Sequence, residues 1–515
     1  MKKENNTTLE QDLFKMADAL RGAVSPSNYK YIVLGLIFLK YVSDSFEDQY
    51  AKIESDGYDV EDKDEYLADN IFWVPSFARW NYLHSQSKLP TIGKTLDDAM
   101  DNIEKENSNL KGVLPKIYNR DSLDYKALGK LIDIISDMDL GKTAKQSKDL
   151  LGRIYEYFLG QFANTEGSKG GEFFTPKSIV NLMTEMIMPY NGRVYDPCCG
   201  SGGMFLSSEK FVKNHQGEMK ELSIYGQELN QDTYRLCKMN MAIHNINSDN
   251  VRWNNEGTLL KDAVIDTKID FVMANPPFNV SDWGQELLVG ERKWRFAVPP
   301  KNNANFAWLQ HIDDKLSKNG LGAVVLANGS LSSQTSGEGD IRAKMVASGL
   351  VECIVALPKQ LFFNTGIPAC IWFLSKEKEL KDNQNILFID ATEIGFMEDR
   401  VHRAFSKEDI ELVASTYHNW KKSQNLNVVE SLAGEIGTYQ DELGFCKSAS
   451  IEEITKHNFV LTPGRYVGLK TVLDDGIPLS TKINALTKTL GEQMQKEKEL
   501  DEEIKKQLAI IGFEF

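Results

Sequence analysis

Short apolar runs alternate with helical patterns between residues 175 and 375, and this alternation constrains the fold more than any other feature of the chain. Strands are predicted near residues 192–196, 223–227, 251–255, 269–274, 320–326, 350–356 and 369–374. Such alternation is typical of an α/β fold with a Rossmann-like, doubly wound and mostly parallel sheet. Because these sheets bind ligands at the carboxyl ends of their strands, the residues that follow each strand are the first candidates for a functional site.

The tetrapeptide Asn275-Pro276-Pro277-Phe278 directly follows the apolar run 269–274. The Asn275 side-chain oxygen and the Pro276 carbonyl can each accept one hydrogen of a planar amine such as N6 of adenine, while Phe278 stacks on the ring. Such a base must first be swung out of the duplex, since its N6 is otherwise paired and stacked. The alternative is that the two prolines simply end a strand. The tetrapeptide alone does not decide between these interpretations.

A glycine-rich turn lies upstream, between a strand that ends at Asp196 and a helix from Met204 to about Asn214. Its glycines allow close approach of the backbone to a ligand, and the helix N-terminus favours a carboxylate. The spacing is not G-x-G-x-x-G, so no pyrophosphate is implied. Asp196 suits an ammonium group, and Glu228 at the end of the next strand suits two ribose hydroxyls. Together these features indicate S-adenosylmethionine; the alternative is a structural glycine turn followed by an ordinary surface Glu.

Several motifs in this order resemble the modification (methyltransferase) subunit of type I restriction–modification systems. They are Gly171–Lys177, Asp196-Pro197 with Gly200–Gly203, Gln227-Glu228-Leu229 and Asn275–Phe278. Further similar segments are Tyr29–Asp44, Asn305–Gly329, Leu357–Leu374 and Asn458–Val467, so the resemblance covers nearly the whole chain. It implies a site-specific DNA methyltransferase that acts on N6 of a flipped adenine and takes its methyl group from S-adenosylmethionine.

The resemblance also implies roles for individual residues. The cofactor-binding residues would be Glu172, Phe173, Phe174, Thr175, Pro176 and Lys177 over the methionine part, Asp196, Ser201, Gly202 and Gly203 in the glycine loop, and Glu228 on the ribose. The catalytic residues would be Asn275, Pro276, Pro277 and Phe278. The chain departs from the family in two places. Glu172 stands where many relatives carry Gln, and Gly257 stands where they often place Asp or Asn, so Glu256 and Asp262 are alternative contacts to the cofactor's adenine.

The formal net charge is −15 at pH 7, which is unusual for a protein that binds DNA on its own. Phosphate neutralisation by Lys and Arg supplies most non-specific affinity for DNA. The segment Arg292-Lys293-Trp294-Arg295 with Lys301 is a candidate basic patch, although a solvated loop explains it equally well. We therefore predict that a separate, more basic specificity subunit reads the target in double-stranded DNA. The resemblance adds a second copy of this chain and a restriction/translocase subunit as partners.

Three regions are predicted: an N-terminal helical domain over residues 1–160, a catalytic domain over 161–400 and a C-terminal region over 401–515. The first opens with a capping box at Thr7 and Glu10. The last ends in a helical tail from Leu479 to Phe515, whose apolar residues are spaced alternately by three and four over part of its length. This tail is predicted either to bind a partner helix or to pack on its own domain.

Composition excludes several other classes of protein. The chain shows no signal sequence and no uncharged apolar run of membrane length, so no membrane role and a cytoplasmic location are expected. The six Cys and seven His show no ligand spacing, and no metal site is expected. No phosphate-binding loop of the G-x-x-x-x-G-K-[ST] type occurs. The remaining alternatives are methyl transfer to N4 of cytosine or to a glutamine side chain, and a scaffold that binds the cofactor only structurally.

Overall fold

The structure is a computed structural model that describes residues 26–120, 123–137, 144–166, 175–215, 221–362, 366–381, 383–399, 401–434 and 437–469, with Phe14 and scattered positions from 483 to 502. The predicted capping box at Thr7 and Glu10 lies outside the described residues. Among those described, no helix combines the length and the apolar character needed to cross a membrane.

The first part of the chain is helical and confirms the predicted N-terminal helical domain. Its helices are α1 Pro26–Asp56, α2 Lys63–Leu67, α3 Trp80–Ser85, α4 Ile92–Glu106, α5 Tyr125–Ser136 and α6 Ala144–Glu166. Helix α1 contributes the buried apolar run Ile32–Leu39 to their common core, and Phe46 stacks on Tyr66 with ring centroids 4.7 Å apart. Because Leu236, Met239 and Ile243 also belong to this core, the helical domain packs directly on the catalytic part.

The strands of the catalytic part form one mixed sheet. They are β1 Gly192–Asp196, β2 Leu222–Glu228, β3 Asn250–Trp253, β4 Ile269–Ala274, β5 Leu316–Ala327, β6 Val351–Ala356, β7 Ala369–Ser375, β8 Ile386–Asp390 and β11 Cys446–Ala449. Their order is β11-β8-β6-β7-β5-β4-β1-β2-β3. The short strands β9 Phe396–Met397 and β10 Arg403–Ala404 form a separate hairpin.

The pairing is parallel from β3 through β5 and between β6 and β8, whereas β7 and β11 run antiparallel to their neighbours. Each of the predicted strands is present within a few residues of its expected bounds, which confirms the α/β fold. The short runs that form β8 and β11 were not predicted. Strand β11 pairs with β8 residue by residue, from Cys446 opposite Ile389 to Ala449 opposite Ile386.

Helices cover both faces of this sheet. They are α7 Lys177–Ile187, α8 Gly203–Asn214, α9 Gln231–Ile243, α10 Asn305–Lys315, α11 Gly329–Ser332, α12 Glu338–Ala347, α13 Lys376–Leu380, α14 Lys407–Ser423, α15 Glu430–Ala433 and α16 Ile451–Lys456. One apolar core lies under α7, α8 and α14, and a second lies under α10 and α12. Side-chain caps begin several of these helices, as where Asn230 accepts the N–H groups of Asp232 and Thr233 at the start of α9.

Residues after 400, where the third predicted region begins, also contribute to the core of the sheet. Helix α14 and strand β11 follow this point but bury Val413, Tyr417 and Cys446 in the core of the sheet. One compact unit extends to Gly468, and Leu469–Phe515 form a second unit. Most of the predicted terminal helix lies outside the described residues; of its apolar positions, Ile483, Leu490, Met494 and Leu500 are exposed.

Candidate active site

The carboxyl ends of β4, β1 and β2 lie side by side, because β1 pairs in parallel with both neighbours. Asn275 follows β4, Asp196 ends β1 and Glu228 ends β2. Asp196 is in register with Gly226, two residues before Glu228. Residues that are far apart in sequence therefore meet at one edge of the sheet, where doubly wound sheets bind ligands.

The glycine-rich loop makes a tight turn between β1 and α8. Gly202 has a φ of 86°, in the left-handed region that favours glycine. A Cβ added at Gly200 or Gly203 would meet no atom within 4 Å, so the backbone there faces open space. Helix α8 begins at Gly203 without a side-chain cap, so N–H groups at its start can receive an anionic group.

Asp196 is almost completely buried at the base of this loop, with 3% of its surface exposed. Its Oδ1 accepts the Cys198 N–H at 3.0 Å. Burial, and to a lesser degree the nearby Glu228 carboxylate, raise the pKa of Asp196 to about 7. A cation beside Asp196 would oppose both effects, so the carboxyl group is suited to an ammonium group.

Glu228 connects the loop to the end of β2. Its Oε2 accepts the Gly200 N–H at 2.9 Å, and its Oε1 accepts the Asn230 N–H at 2.8 Å. The carboxylate is therefore oriented from both sides beside the glycine turn.

Asn275 follows the end of β4; the residue is partly exposed, whereas its Oδ1 atom is buried. Its Nδ2 donates to Oγ1 of Thr175 at 2.9 Å. Pro276 is buried, but Asn275 and Pro277 are both partly exposed. The Asn275 backbone N–H also faces the thiol of Cys198, which joins the β4 end to the loop after β1. One edge of the sheet thus contains both predicted motifs.

The predicted methionine-covering segment is described only in part. Glu172, Phe173 and Phe174 lie outside the described residues, and their roles stay predictions. Pro176 is buried and caps α7. The Lys177 ammonium is exposed and lies 3.3 Å from Glu156 of α6, so its described contact is with the helical domain rather than with the glycine loop.

Phe278 is buried against Phe362, a residue that the sequence analysis did not single out. Their ring centroids are 5.7 Å apart and the rings are nearly perpendicular, at 82°. Phe362 comes from the segment between β6 and β7. A second aromatic residue next to a Pro-Pro-Phe turn has no signal in local sequence, because the two are separated by 83 residues of chain.

The backbone after Phe278 is held by a reciprocal contact with α10. The Asn279 N–H donates to Oδ1 of Asn305 at 3.1 Å, and Asn305 Nδ2 donates to Oδ1 of Asn279 at 2.9 Å. Asn305 is 1% exposed. These two hydrogen bonds fix the backbone direction of the segment that follows Phe278.

Two further polar side chains support the glycine loop. Thr258 donates its hydroxyl to the Pro197 carbonyl, and Asn240 Nδ2 donates to the Ser201 carbonyl at 2.8 Å. Both side chains are buried. An Asn on the buried face of a helix indicates a hydrogen-bonding role in the core, since buried polar groups are almost always hydrogen-bonded.

The region around Gly257 presents apolar surface instead of a carboxylate. Leu229 is 53% exposed and Trp253 is 40% exposed, and the Trp253 indole donates to the Leu229 carbonyl at 3.0 Å. Of the two alternatives considered for the missing side chain, Glu256 pairs with Lys261 and Asp262 pairs with Lys315. Both carboxylates therefore already have basic partners in this structure.

In the candidate basic patch at 292–295, Arg292 and Arg295 are exposed, but Lys293 and Arg295 already have partners within the chain. Trp294 is buried, Lys293 Nζ donates to the Leu259 carbonyl at 2.9 Å, and Arg295 pairs with Asp313 and Glu379. These contacts anchor the loop that follows the tetrapeptide. They favour a structural role over phosphate binding for most of the segment.

A cleft of about 390 Å³ lies at the opposite edge of the sheet. Gly192 and Asp270, at the amino ends of β1 and β4, are among its lining residues. Its location excludes it as part of the site formed by Asp196, Glu228 and Asn275, since all three follow carboxyl ends of strands.

Comparison with known proteins agrees with this arrangement. The family model for N-6 DNA methylases matches residues 146–475, and the model for the HsdM N-terminal domain matches residues 9–135. The chain is 47% identical to the type I restriction enzyme HindI methylase subunit of Haemophilus influenzae, over 86% of this chain and 100% of that protein. It is 36% identical to the MjaIX methylase subunit of Methanocaldococcus jannaschii, over 98% and 91% of the two chains.

A solved structure shares the fold closely. It is the type I restriction–modification methyltransferase subunit from Streptococcus thermophilus, with a TM-score of 0.75 and 26% identity over 89% of this chain and 98% of that one. The motif order, the sheet and these similarities agree. The chain belongs to the methylase subunits of type I restriction–modification enzymes, which are adenine-specific N6 DNA methyltransferases.

Proposed function

We propose that this subunit transfers a methyl group from S-adenosylmethionine to N6 of a flipped adenine, at a target read by a separate specificity subunit. The observation that carries the proposal is the adjacency of Asn275, Asp196 and Glu228 at neighbouring strand ends. The residue proposed to bind the target amine, Asn275, and those proposed to bind the cofactor, Asp196 and Glu228, therefore lie at the same edge of the sheet.

The residues of the loop fit this cofactor. The buried Asp196 suits its ammonium group, the open first turn of α8 suits its carboxylate, and Glu228 suits its ribose hydroxyls. The exposed Leu229 and Trp253 offer apolar contact to its adenine ring. When bound, the cofactor supplies an electrophilic methyl group.

Asn275 and Pro276 act on the acceptor. The side-chain oxygen of Asn275 and the carbonyl of Pro276 accept the two hydrogens of the target amine, which favours a pyramidal nitrogen with an available lone pair. Phe278 stacks on the ring of the base, and Phe362 packs against Phe278. Catalysis then rests on positioning and on polarisation of the amine, without a strong base.

The partners are proposed from charge and from the terminal unit. The net charge of −15 disfavours independent binding to DNA, so a basic specificity subunit is needed for target recognition. The exposed Ile483, Leu490 and Met494 recur at spacings of seven and four, and they suit a helix of that partner. A second copy of this chain and a restriction/translocase subunit would complete the assembly.

A tritiated-methyl assay with the complex purified from its native host tests the proposal. We expect label in N6-methyladenine of DNA, and much less label when this chain is assayed without the co-purifying subunits. Nucleoside and peptide analysis of the products separates the alternatives. Label in N4-methylcytosine or in glutamine side chains would contradict the adenine assignment, and no transfer by the complete complex would contradict the enzymatic one.

Cofactor binding should weaken as the pH falls below 7. The free protein holds Asp196 with a pKa of about 7, and an adjacent ammonium group favours the ionised carboxylate. Binding therefore lowers this pKa and releases a proton, so the Kd for S-adenosylhomocysteine should rise by up to about tenfold per pH unit below 7. At higher pH, where the ligand's own α-amino group loses its charge, affinity should fall again.

Calorimetry between pH 5.5 and 8.5, in buffers of different ionisation enthalpy, measures both the affinity and the proton release. In the Asp196→Asn variant the acid limb should flatten, because no carboxyl group titrates at that position. A wild-type affinity that stays constant from pH 7 to pH 5.5 would show that Asp196 does not bind the ammonium group.

A further inference from the structure

We propose that Thr175 is a positioning residue that sets the orientation of the Asn275 side-chain amide. This inference rests on the proposed function, because it concerns the oxygen with which Asn275 grips the target amine. The carrying observation is the hydrogen bond from Asn275 Nδ2 to Oγ1 of Thr175, which is 2.9 Å long and joins residues 100 positions apart.

The orientation of this amide decides whether Asn275 can accept a hydrogen bond from the target amine. An Asn side chain carries an acceptor oxygen and a donor NH₂ group, and a half-turn about its last torsion exchanges them. The target N6 of adenine carries two hydrogens and needs acceptors. If the NH₂ group of Asn275 faced the base, donors would meet donors. In this structure the Thr175 hydroxyl accepts from Nδ2 on one side of the amide, so Oδ1 is directed to the other side.

The backbone position of Thr175 is restricted by its neighbours. It directly precedes Pro176, and a residue before proline is restricted to extended backbone conformations. Pro176 is buried and is the N-cap residue of α7, whose residues Ile179 and Met183 are fully buried in the core under the sheet. The hydroxyl is therefore presented to the end of β4 from a packed helix start.

The same contact connects the two halves of the site. Thr175 belongs to the segment that the family resemblance places over the cofactor, whereas Asn275 belongs to the acceptor grip. A direct cofactor contact and a positioning role predict different kinetics. Loss of a cofactor ligand raises the Kd for the cofactor, whereas loss of an orienting contact lowers kcat and leaves that Kd nearly unchanged.

Thr175→Val and Thr175→Ser separate these roles. Valine keeps the shape and removes the hydroxyl, so kcat for adenine methylation by the complete complex should fall by about 10- to 100-fold, the effect of small misplacement of a reacting group. The Kd for S-adenosylhomocysteine should change by less than about threefold, whereas loss of a direct cofactor contact should change it by about tenfold or more. Serine retains the acceptor oxygen and should restore kcat to within a few-fold of wild type.

Thr184→Val is the matched control. Thr184 is a buried Thr of α7 whose hydroxyl donates to the Val180 carbonyl and lies near Ser207, with no described contact to Asn275. This variant should melt at a lower temperature but keep wild-type kcat. If Thr175→Val does not fold, Thr175→Ala against Thr175→Ser provides the same comparison of a missing and a retained hydroxyl.

Three outcomes would overturn the inference: unchanged kcat in Thr175→Val, a loss of cofactor affinity that accounts for its whole defect, or a Thr175→Ser variant as slow as Thr175→Val. Failure of the proposed function has a different signature. In that case wild-type protein would not methylate adenine, or Asn275→Ala would remain active. Normal adenine methylation by wild type, together with an inactive Asn275→Ala and a fully active Thr175→Val, would reject only the positioning role.

Discussion

Replacing Asn275 by Ala is expected to lower the rate of adenine methylation by about 10²- to 10³-fold, the usual effect of removing one preorganised polar group from a reacting centre. In the proposed mechanism, the change removes the acceptor oxygen that would polarise N6. The Kd for S-adenosylhomocysteine should stay within a few-fold of wild type, because Asp196 and Glu228 remain in place. Single-turnover methyl transfer by the complete complex, combined with calorimetry, measures both quantities.

Two variants sharpen this comparison. Asn275→Asp keeps an acceptor oxygen at the same position and should be less damaging than Asn275→Ala. Asn319→Ala removes an exposed Asn near the amino end of β5, at the opposite edge of the sheet, and should leave the rate unchanged. Turnover at the wild-type rate in Asn275→Ala would refute the assigned role.

Replacing Asp196 by Asn should weaken binding of S-adenosylhomocysteine by about 30-fold or more at pH 7.5, which corresponds to about 2 kcal/mol for one member of a buried charge pair. The amide can still accept the Cys198 N–H, so the loop should keep its turn. The folded protein raises the pKa of Asp196 above its unfolded value, so ionisation of this buried carboxyl group disfavours folding as pH rises towards 7. A neutral Asn avoids this effect, and the melting temperature at pH 7.5 should not fall.

Asp270→Asn is the matched control for that variant. Asp270 lies near the amino end of β4 and accepts the Arg193 N–H at 3.0 Å, so it belongs to the opposite edge of the same sheet. Its replacement should leave cofactor affinity unchanged. Wild-type affinity in Asp196→Asn would show that the ammonium group is held elsewhere.

Local sequence patterns predicted the elements of this fold well. Apolar runs such as Ile269–Ala274 and Val351–Ala356 became buried strands, and the glycine turn ended at the predicted helix start near Met204. These features depend on side-chain periodicity and on backbone freedom over a few residues, so neighbours in sequence are sufficient to specify them.

The motifs also identified the edge of the sheet at which chemistry is expected. Asp196, Glu228 and Asn275 were each placed at a strand end from sequence, and parallel strands bring such ends to one edge. The roles assigned to these residues remain predictions until the variants above are measured.

Contacts between distant segments could not be obtained in this way. The hydrogen bond from Asn275 to Thr175, the packing of Phe278 on Phe362 and the pairing of β11 with β8 each join parts of the chain that no local pattern relates. The inward turn of Lys293 likewise depends on the Leu259 carbonyl that it meets.

The sequence by itself therefore determined the class of fold, the order of its strands and helices along the chain, and the residue types offered at each strand end. Only the tertiary structure decided which strand lies beside which, which side chain orients the Asn275 amide, and which basic residues are already paired. The physical reason is that periodicity and turn chemistry act over a few residues, whereas strand neighbours and buried polar partners are selected by packing of the whole chain.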